Sequence, residues 1–189
     1  VALLNSLLAT VSQTAIAFFG IYFKLQSFIY MPANGLIQGM RPLISYNYGA
    51  RHFDRVKKII KVSIISTAVI LCCGTIIFMG LPELVLSWFN ATEQLLEIGI
   101  IGLRVISPCF ILSTMGVVIS GVFESLGKGR QSLTISLLRQ FIITLPLAYI
   151  LLKVIGLNGI WLSFVIAEGI ASVIAVILIK KELHNFKVD

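Results

Sequence analysis

Charge is what this 189-residue sequence has least of. Charged side chains make up 12% of it, only eight of them acidic, and His occurs twice. So few charges leave no surface for a water-soluble globular domain. The three cysteines, Cys72, Cys73 and Cys109, sit in apolar runs, with no paired spacing for a disulfide framework or a zinc site. They read as packing residues. No catalytic triad, phosphate-binding loop or metal motif occurs, so neither an enzyme nor a bound cofactor or metal is expected. His52 and His184 lie in basic segments without ligand partners. The chain begins with Val1, and no basic segment and cleavage site follow it, so no signal peptide is expected and the natural chain is expected to extend upstream.

Apolar length is abundant. Hydrophobic residues make up 58% of the chain and the mean hydropathy is +0.99. A hydrocarbon core of about 30 Å needs roughly 20 apolar helical residues. Five runs meet that length: Ala15 to Tyr48, Val62 to Pro82, Ile98 to Phe123, Gln131 to Leu152 and Leu157 to Ile179. Val1 to Ala9 reads as the end of a sixth. The runs lack period-two alternation, and an isolated helix satisfies its own backbone in lipid, so the expected class is all-α, a polytopic transmembrane helix bundle. The first run carries Pro32, Gly35 and Gly39 and is too long for a perpendicular crossing, which predicts a tilted, bent helix. No internal repeat or long linker divides residues 1–189, so a single transmembrane lobe is expected.

The net charge of +7 follows the loops, not a nucleic-acid surface. Arg51, Arg55, Lys57, Lys58 and Lys61, then Lys128 and Arg130, then Lys180, Lys181 and Lys187 all fall on one side. The other side has Lys153, with Glu83, Glu93 and Glu97 in its longest connection. The positive-inside rule therefore puts the Arg51 loop and the C-terminal tail in the cytoplasm, in a plasma-membrane protein. Four basic residues remain within spans: Lys24, Arg41, Arg104 and Arg139. A centred Lys or Arg costs about 2.5–3.5 kcal/mol, so snorkelling is expected of Lys24, Arg41 and Arg104, while Arg139 lies deeper. Trp161 and Tyr149 are expected to anchor the outer interface. Ser63, Ser66, Thr67, Ser113, Thr114 and Ser120 read as small helix-contact residues.

Two polar features call for a functional account. Gln26, Tyr30, Asn34, Gln38, Arg41 and Ser45 recur at steps of three or four and so share one helix face. Such a stripe lines either an aqueous cavity or a helix interface, and Tyr30, Asn34 and Gln38 are the candidate substrate-binding residues. Glu168 is the acidic residue well inside a span. Counting from the inner helix ends places Arg139 and Glu168 within about 5 Å in depth. That depth match allows a structural salt bridge, a proton or cation coupling site, or both.

The run Met31-Pro32-Ala33-Asn34-Gly35, followed by Pro42-Leu43-Ile44-Ser45-Tyr46-Asn47-Tyr48-Gly49-Ala50-Arg51, resembles the eighth helix of multidrug and toxic compound extrusion (MATE) transporters. Gly121-Val122-Phe123-Glu124-Ser125-Leu126-Gly127-Lys128, Leu138-Arg139-Gln140 with Leu145-Pro146-Leu147, and Gly156-Leu157-Asn158-Gly159-Ile160-Trp161 agree with it in order and spacing. The resemblance implies a twelve-helix exporter of two six-helix lobes, with this chain as the second lobe, short of most of helix seven. Its partners would be the lipid bilayer, the missing N-terminal lobe and a small-molecule drug substrate. Such transporters expel cationic or amphipathic drugs by rocking between inward and outward states, driven by entry of protons or sodium. A cation-binding aspartate of helix ten in some members falls near Ser113 here, which leaves Glu168, with Arg139 as its partner, or the absent lobe to couple the ion. Two other readings remain: a lipid or polysaccharide flippase, which needs Arg41, Arg104 and Arg139 facing the cavity, and a membrane scaffold whose buried polar groups are all structural. The isolated chain is not expected to transport.

Overall fold

The computed structural model describes residues 2–9, 11–89 and 91–186, so Lys187 of the basic tail lies outside the described residues. Every regular element among them is helical: α1 (Ala2–Ala9), α2 (Gln13–Gly49), α3 (Phe53–Gly80), α4 (Pro82–Ser87), α5 (Glu93–Ile106), α6 (Pro108–Ser125), α7 (Gly129–Leu137), a π-helical turn (Leu138–Ile142), α8 (Thr144–Ile155) and α9 (Leu157–Asn185). Five segments are long and apolar enough to cross a membrane: Gln13–Gly49, Phe53–Gly80, Pro108–Ser125, Gly129–Ile155 and Leu157–His184. These correspond to the five expected runs, and α1 to the end of the sixth.

The boundaries differ in an instructive way. Helix α3 begins at Phe53, nine residues before the expected start, and α9 continues past Ile179, so Arg55, Lys57, Lys58, Lys61, Lys180 and Lys181 belong to helix rather than loop. Lys and Arg are good helix formers, and hydropathy marks where the oil ends rather than where the helix ends. The third run starts at Glu93 and changes course at Ser107–Pro108, because a proline cannot donate to the preceding turn. Thr75 of α3 donates to the Ser107 carbonyl at 3.2 Å and ties down the break. Helix α2 runs 37 residues without interruption through Pro32 and Pro42.

Side-chain contacts mark the two ends of the lobe. Tyr48, Phe53 and Phe186 cluster beside the Arg51 loop, the rings of Phe53 and Phe186 stacked 5.0 Å apart. This is the basic end. Nearby, Lys128 Nζ bonds both oxygens of the buried Glu182 at 2.6 Å. At the opposite end, Trp161 meets Phe18 edge-on at 5.1 Å and is fully buried. The expectation of Trp161 as an interfacial anchor is therefore wrong: its ring fills the space between α2 and α9. Tyr149 is exposed, with Lys153 Nζ 4.4 Å from its ring centre.

The apolar core is divided. One cluster, around Phe18, Phe19, Tyr22, Phe110 and Trp161, fills the half away from the basic end. The other, around Ile37, Ile44, Ile60, Val118, Phe123 and Ile179, fills the basic half. Polar side chains are buried or largely buried within the lobe as well: Ser63 and Thr67 from α3, Ser113 and Thr114 from α6, Arg139 from the π turn, Glu168 and Ser172 from α9. Some of them find partners, Ser113 with Tyr30 and Arg139 with Glu168, while the buried hydroxyls of Thr67 and Thr114 have none among the described residues.

Candidate functional site

Arg139 owes its position to the π turn. Pro146 has no N–H for the carbonyl of Ile142 and its ring crowds that carbonyl, so the helix widens in the turn before it. The amide of Ile143 reaches back to Leu138 at 3.1 Å, and the Thr144 hydroxyl donates to the Arg139 carbonyl. Widened turns of this kind re-aim side chains. Here Arg139 Nε lies 3.1 Å from Glu168 Oε1, with both side chains largely buried, 17% and 13% exposed. The depth match counted from the sequence is thus a direct contact. Glu168 Oε2 is buried and has no hydrogen-bond partner. A carboxylate with one oxygen uncompensated is a place where a further proton or cation gains by binding.

Three hollows meet at Arg139. A 340 Å³ cavity is lined by Arg139, Glu168, Gln26, Phe23, Phe141 and Phe164 among others. A broader depression of 690 Å³ along α2 adjoins Arg139 and takes in Gln26, Tyr30, Asn34 and Gln38. A narrower cavity of 150 Å³ leads from Arg139 towards Arg41 and Glu124.

The polar stripe of α2 divides by role. Asn34, Gln38 and Ser45 are exposed on the lobe, and Gln26 is half-buried. Tyr30 borders the depression, but its ring is buried against Phe110 and its hydroxyl bonds Ser113. Ser45 donates to the Ser125 carbonyl at 2.8 Å. Arg41 is half-buried and pairs with Glu124 of α6, a carboxylate within reach across the seam. Lys24 and Arg104 are exposed on the lobe. The sequence reading passed over Glu124, treating it as part of a helix-end motif. Its spacing of four from Ser120 was the available signal.

Among the described residues no cluster of His, Cys, Asp and Glu could hold a metal ion. Cys109 is buried with its Sγ 3.8 Å from the Tyr22 hydroxyl, Cys72 is half-buried and Cys73 is exposed.

Known proteins resemble this arrangement in sequence and in shape. The multidrug export protein MepA of Staphylococcus haemolyticus (strain JCSC1435) is 31% identical over 186 residues, 98% of this chain and 40% of MepA. MepA of Staphylococcus aureus (strain MSSA476) is 30% identical over 98% of this chain and 41% of its own length. A multidrug resistance MATE family transporter of the MOP superfamily in its outward-facing conformation superposes with a TM-score of 0.93 at 20% identity, over 99% of this chain and 43% of that one. A MOP superfamily transporter from Pyrococcus furiosus, described as having a binding pocket of reverse polarity, gives 0.92 at 21% identity, over 98% and 42%. At such identities the structures establish the fold. The chain spans about two-fifths of the length of the relatives it matches. The MatE family model matches residues 2–150, and with the helical lobe of MATE transporters reproduced around the buried Arg139–Glu168 pair, the chain belongs to the MatE family.

Proposed function

We propose that the chain is the C-terminal lobe of a secondary active exporter that moves cationic or amphipathic drugs out of the cell in exchange for entering protons or sodium. The observation that carries this reading is the Arg139–Glu168 pair, a charged contact held in the apolar middle of the lobe beside hollows large enough for a drug-sized molecule. Charge at that depth is costly and is kept where it works. Glu168 takes the coupling ion and Arg139 competes with it, so the ion's binding changes the balance between states. Asn34 and Gln38, exposed on α2, and the edge of Tyr30 meet the substrate.

The lobe stands in the plasma membrane with its basic end and C-terminal tail in the cytoplasm, and a matching N-terminal lobe supplies the other wall of the cleft. Alone, the chain has no closed path to alternate and does not transport. The chemistry is translocation rather than catalysis, and the coupling ion is the only co-reactant.

A flippase for anionic headgroups needs unpaired cations in the cleft. Arg41 and Arg139 are engaged by carboxylates, and Arg104 borders none of the three hollows at Arg139, which favours the drug-cation reading. The test is gradient-driven efflux of a cationic dye by the full-length protein in liposomes. Glu168→Gln is expected to abolish the dependence on the gradient, and Asn34→Ala or Gln38→Ala to raise the half-saturating dye concentration about tenfold, a loss of about 1.4 kcal/mol. Gradient-dependent efflux unchanged by Glu168→Gln removes Glu168 from the mechanism.

A further inference from the structure

Helices α6 and α7 face each other along two polar stripes that the export reading leaves unexplained. On α6, Gly116, Ser120 and Glu124 recur every fourth residue; from α7 into the π turn, Ser132, Ser136 and Arg139 recur at four and three. The stripes interlock. Ser132 donates to Glu124 Oε1 at 2.8 Å, and the Ser120 hydroxyl lies 2.6 Å from that of Ser132 and 3.5 Å from that of Ser136. At the deep end the Arg139 side chain lies over Gly116, its Cδ 3.6 Å and Nη1 3.7 Å from where a Cβ would stand. The 150 Å³ cavity runs along this seam and is bordered by Arg139 at one end and by Arg41 and Glu124 at the other.

Arg139 therefore has a carboxylate on either side: Glu168 in contact, and Glu124 along an open, hydroxyl-lined seam. Ser132, which holds Glu124, is seven residues before Arg139, a rise of about 10 Å. Both long side chains line the 150 Å³ cavity that spans that interval. The other titratable groups in electrostatic range of Glu168 are Tyr22 and Tyr30 from α2 and Cys109 from α6, none a cation. Glu124 is faced by Arg41 from α2 and Ser132 from α7.

We propose that Glu124 is a positioning residue for ion coupling, the alternate acceptor for Arg139. This rests on the reading of Glu168 as the coupling site. When a proton or cation occupies Glu168, the largely buried guanidinium loses its partner, and a charge so little exposed gains by finding another carboxylate within reach. It turns along the seam to Glu124 and displaces Arg41. Arg41 can give way because its side chain is 43% exposed and solvates itself, whereas that of Arg139 is 17% exposed. The Arg41–Glu124 contact and the Ser45–Ser125 hydrogen bond tie α2 to α6 at the basic end. Losing the first loosens the packing of Ile37 and Met40 of α2 against Gly121 of α6, so occupancy at mid-depth is read out at the cytoplasmic end.

The experiment places a reporter cysteine at the buried Met40 (Met40→Cys) in the full-length, otherwise cysteine-free protein and follows its alkylation by a small maleimide. Glu168→Gln, which imitates the occupied carboxyl, is expected to speed alkylation at least fivefold. Glu168→Asp, which keeps the charge but shortens its reach, gives a smaller increase and covers the case in which Glu168→Gln does not fold. In the Arg139→Gln/Glu168→Gln double variant no guanidinium is left to compete, and the rate returns to that of the parent. Glu124→Gln speeds alkylation by itself and removes any further effect of Glu168→Gln, while Glu124→Asp restores that effect in part. Parental rates in both Glu168 variants, or independent effects of Glu124 and Glu168, overturn the proposal. Dye efflux separates the two readings: loss of coupling in Glu168→Gln with an unmoved Met40→Cys rate sinks only the role of Glu124, whereas unaltered coupling sinks the coupling reading itself.

Discussion

Arg139 Nε and Glu168 Oε1 stand 3.1 Å apart, one on a widened turn and the other mid-way along α9, the helix packed against it. Because the contact is buried, its two members cannot be removed singly at the same cost as together. Arg139→Leu leaves a carboxylate without its cation and is expected to cost about 3–5 kcal/mol, whereas Arg139→Leu/Glu168→Leu recovers most of that loss. Thermal unfolding of the full-length protein in detergent measures both, and equal destabilisation by the single and double variants contradicts the pairing.

Close approach of α2 and α5 depends on Gly102. A Cβ there would strike the ring of Phe18, and Phe18 is fully buried. Gly102→Ala is expected to destabilise by about 1–3 kcal/mol through overpacking, and Phe18→Leu in the same chain to relieve part of it. Additive effects of the two substitutions would place the helices further apart than they are here.

The chain's two tryptophans differ in setting. Trp161 is fully buried between α2 and α9, and Trp88 is 72% exposed beyond α4. In the full-length protein freed of any tryptophan outside this chain, Trp88→Phe should leave an emission that is blue-shifted and insensitive to iodide, and Trp161→Phe one that responds to quencher. Trp161→Ala is expected to cost about 3–5 kcal/mol of stability.

Arg51 adopts φ of 58°, a left-handed conformation, in the turn between α2 and α3. Gly127, with φ of 72°, closes the end of α6 in the same manner, where Lys128 N donates to the Phe123 carbonyl at 2.8 Å. An L side chain in that region costs about 1–2 kcal/mol, partly offset by the extra backbone freedom a glycine brings to the unfolded chain. Arg51→Gly is therefore expected to raise stability by about 0.5–1 kcal/mol and Arg51→Val to lower it, both read as shifts of the unfolding midpoint.

The membrane spans were legible because lipid imposes a length and an oiliness that composition alone displays. The match in depth between Arg139 and Glu168 was legible for a related reason, since a helix converts residue count into distance. The π turn was not, because a run of apolar residues reads alike whether its hydrogen bonds span four residues or five. The partner of Arg41 was not legible, because Glu124 stands 83 positions later and nothing in the sequence fixes the distance between them. Trp161 looked interfacial because amphipathic rings near helix ends usually are, and only packing against Phe18 and Phe19 put it inside.

From the sequence alone came a helical membrane lobe, the sidedness expected of its basic loops and a short set of polar residues in the wrong solvent, all consequences of the free energy of transfer of each side chain. Tertiary structure decided which of those residues met. Pairing depends on distances between helices, and these arise from the fit of small residues such as Gly102, Gly116 and Gly121 against the neighbours they admit, a property of facing surfaces that no single helix carries.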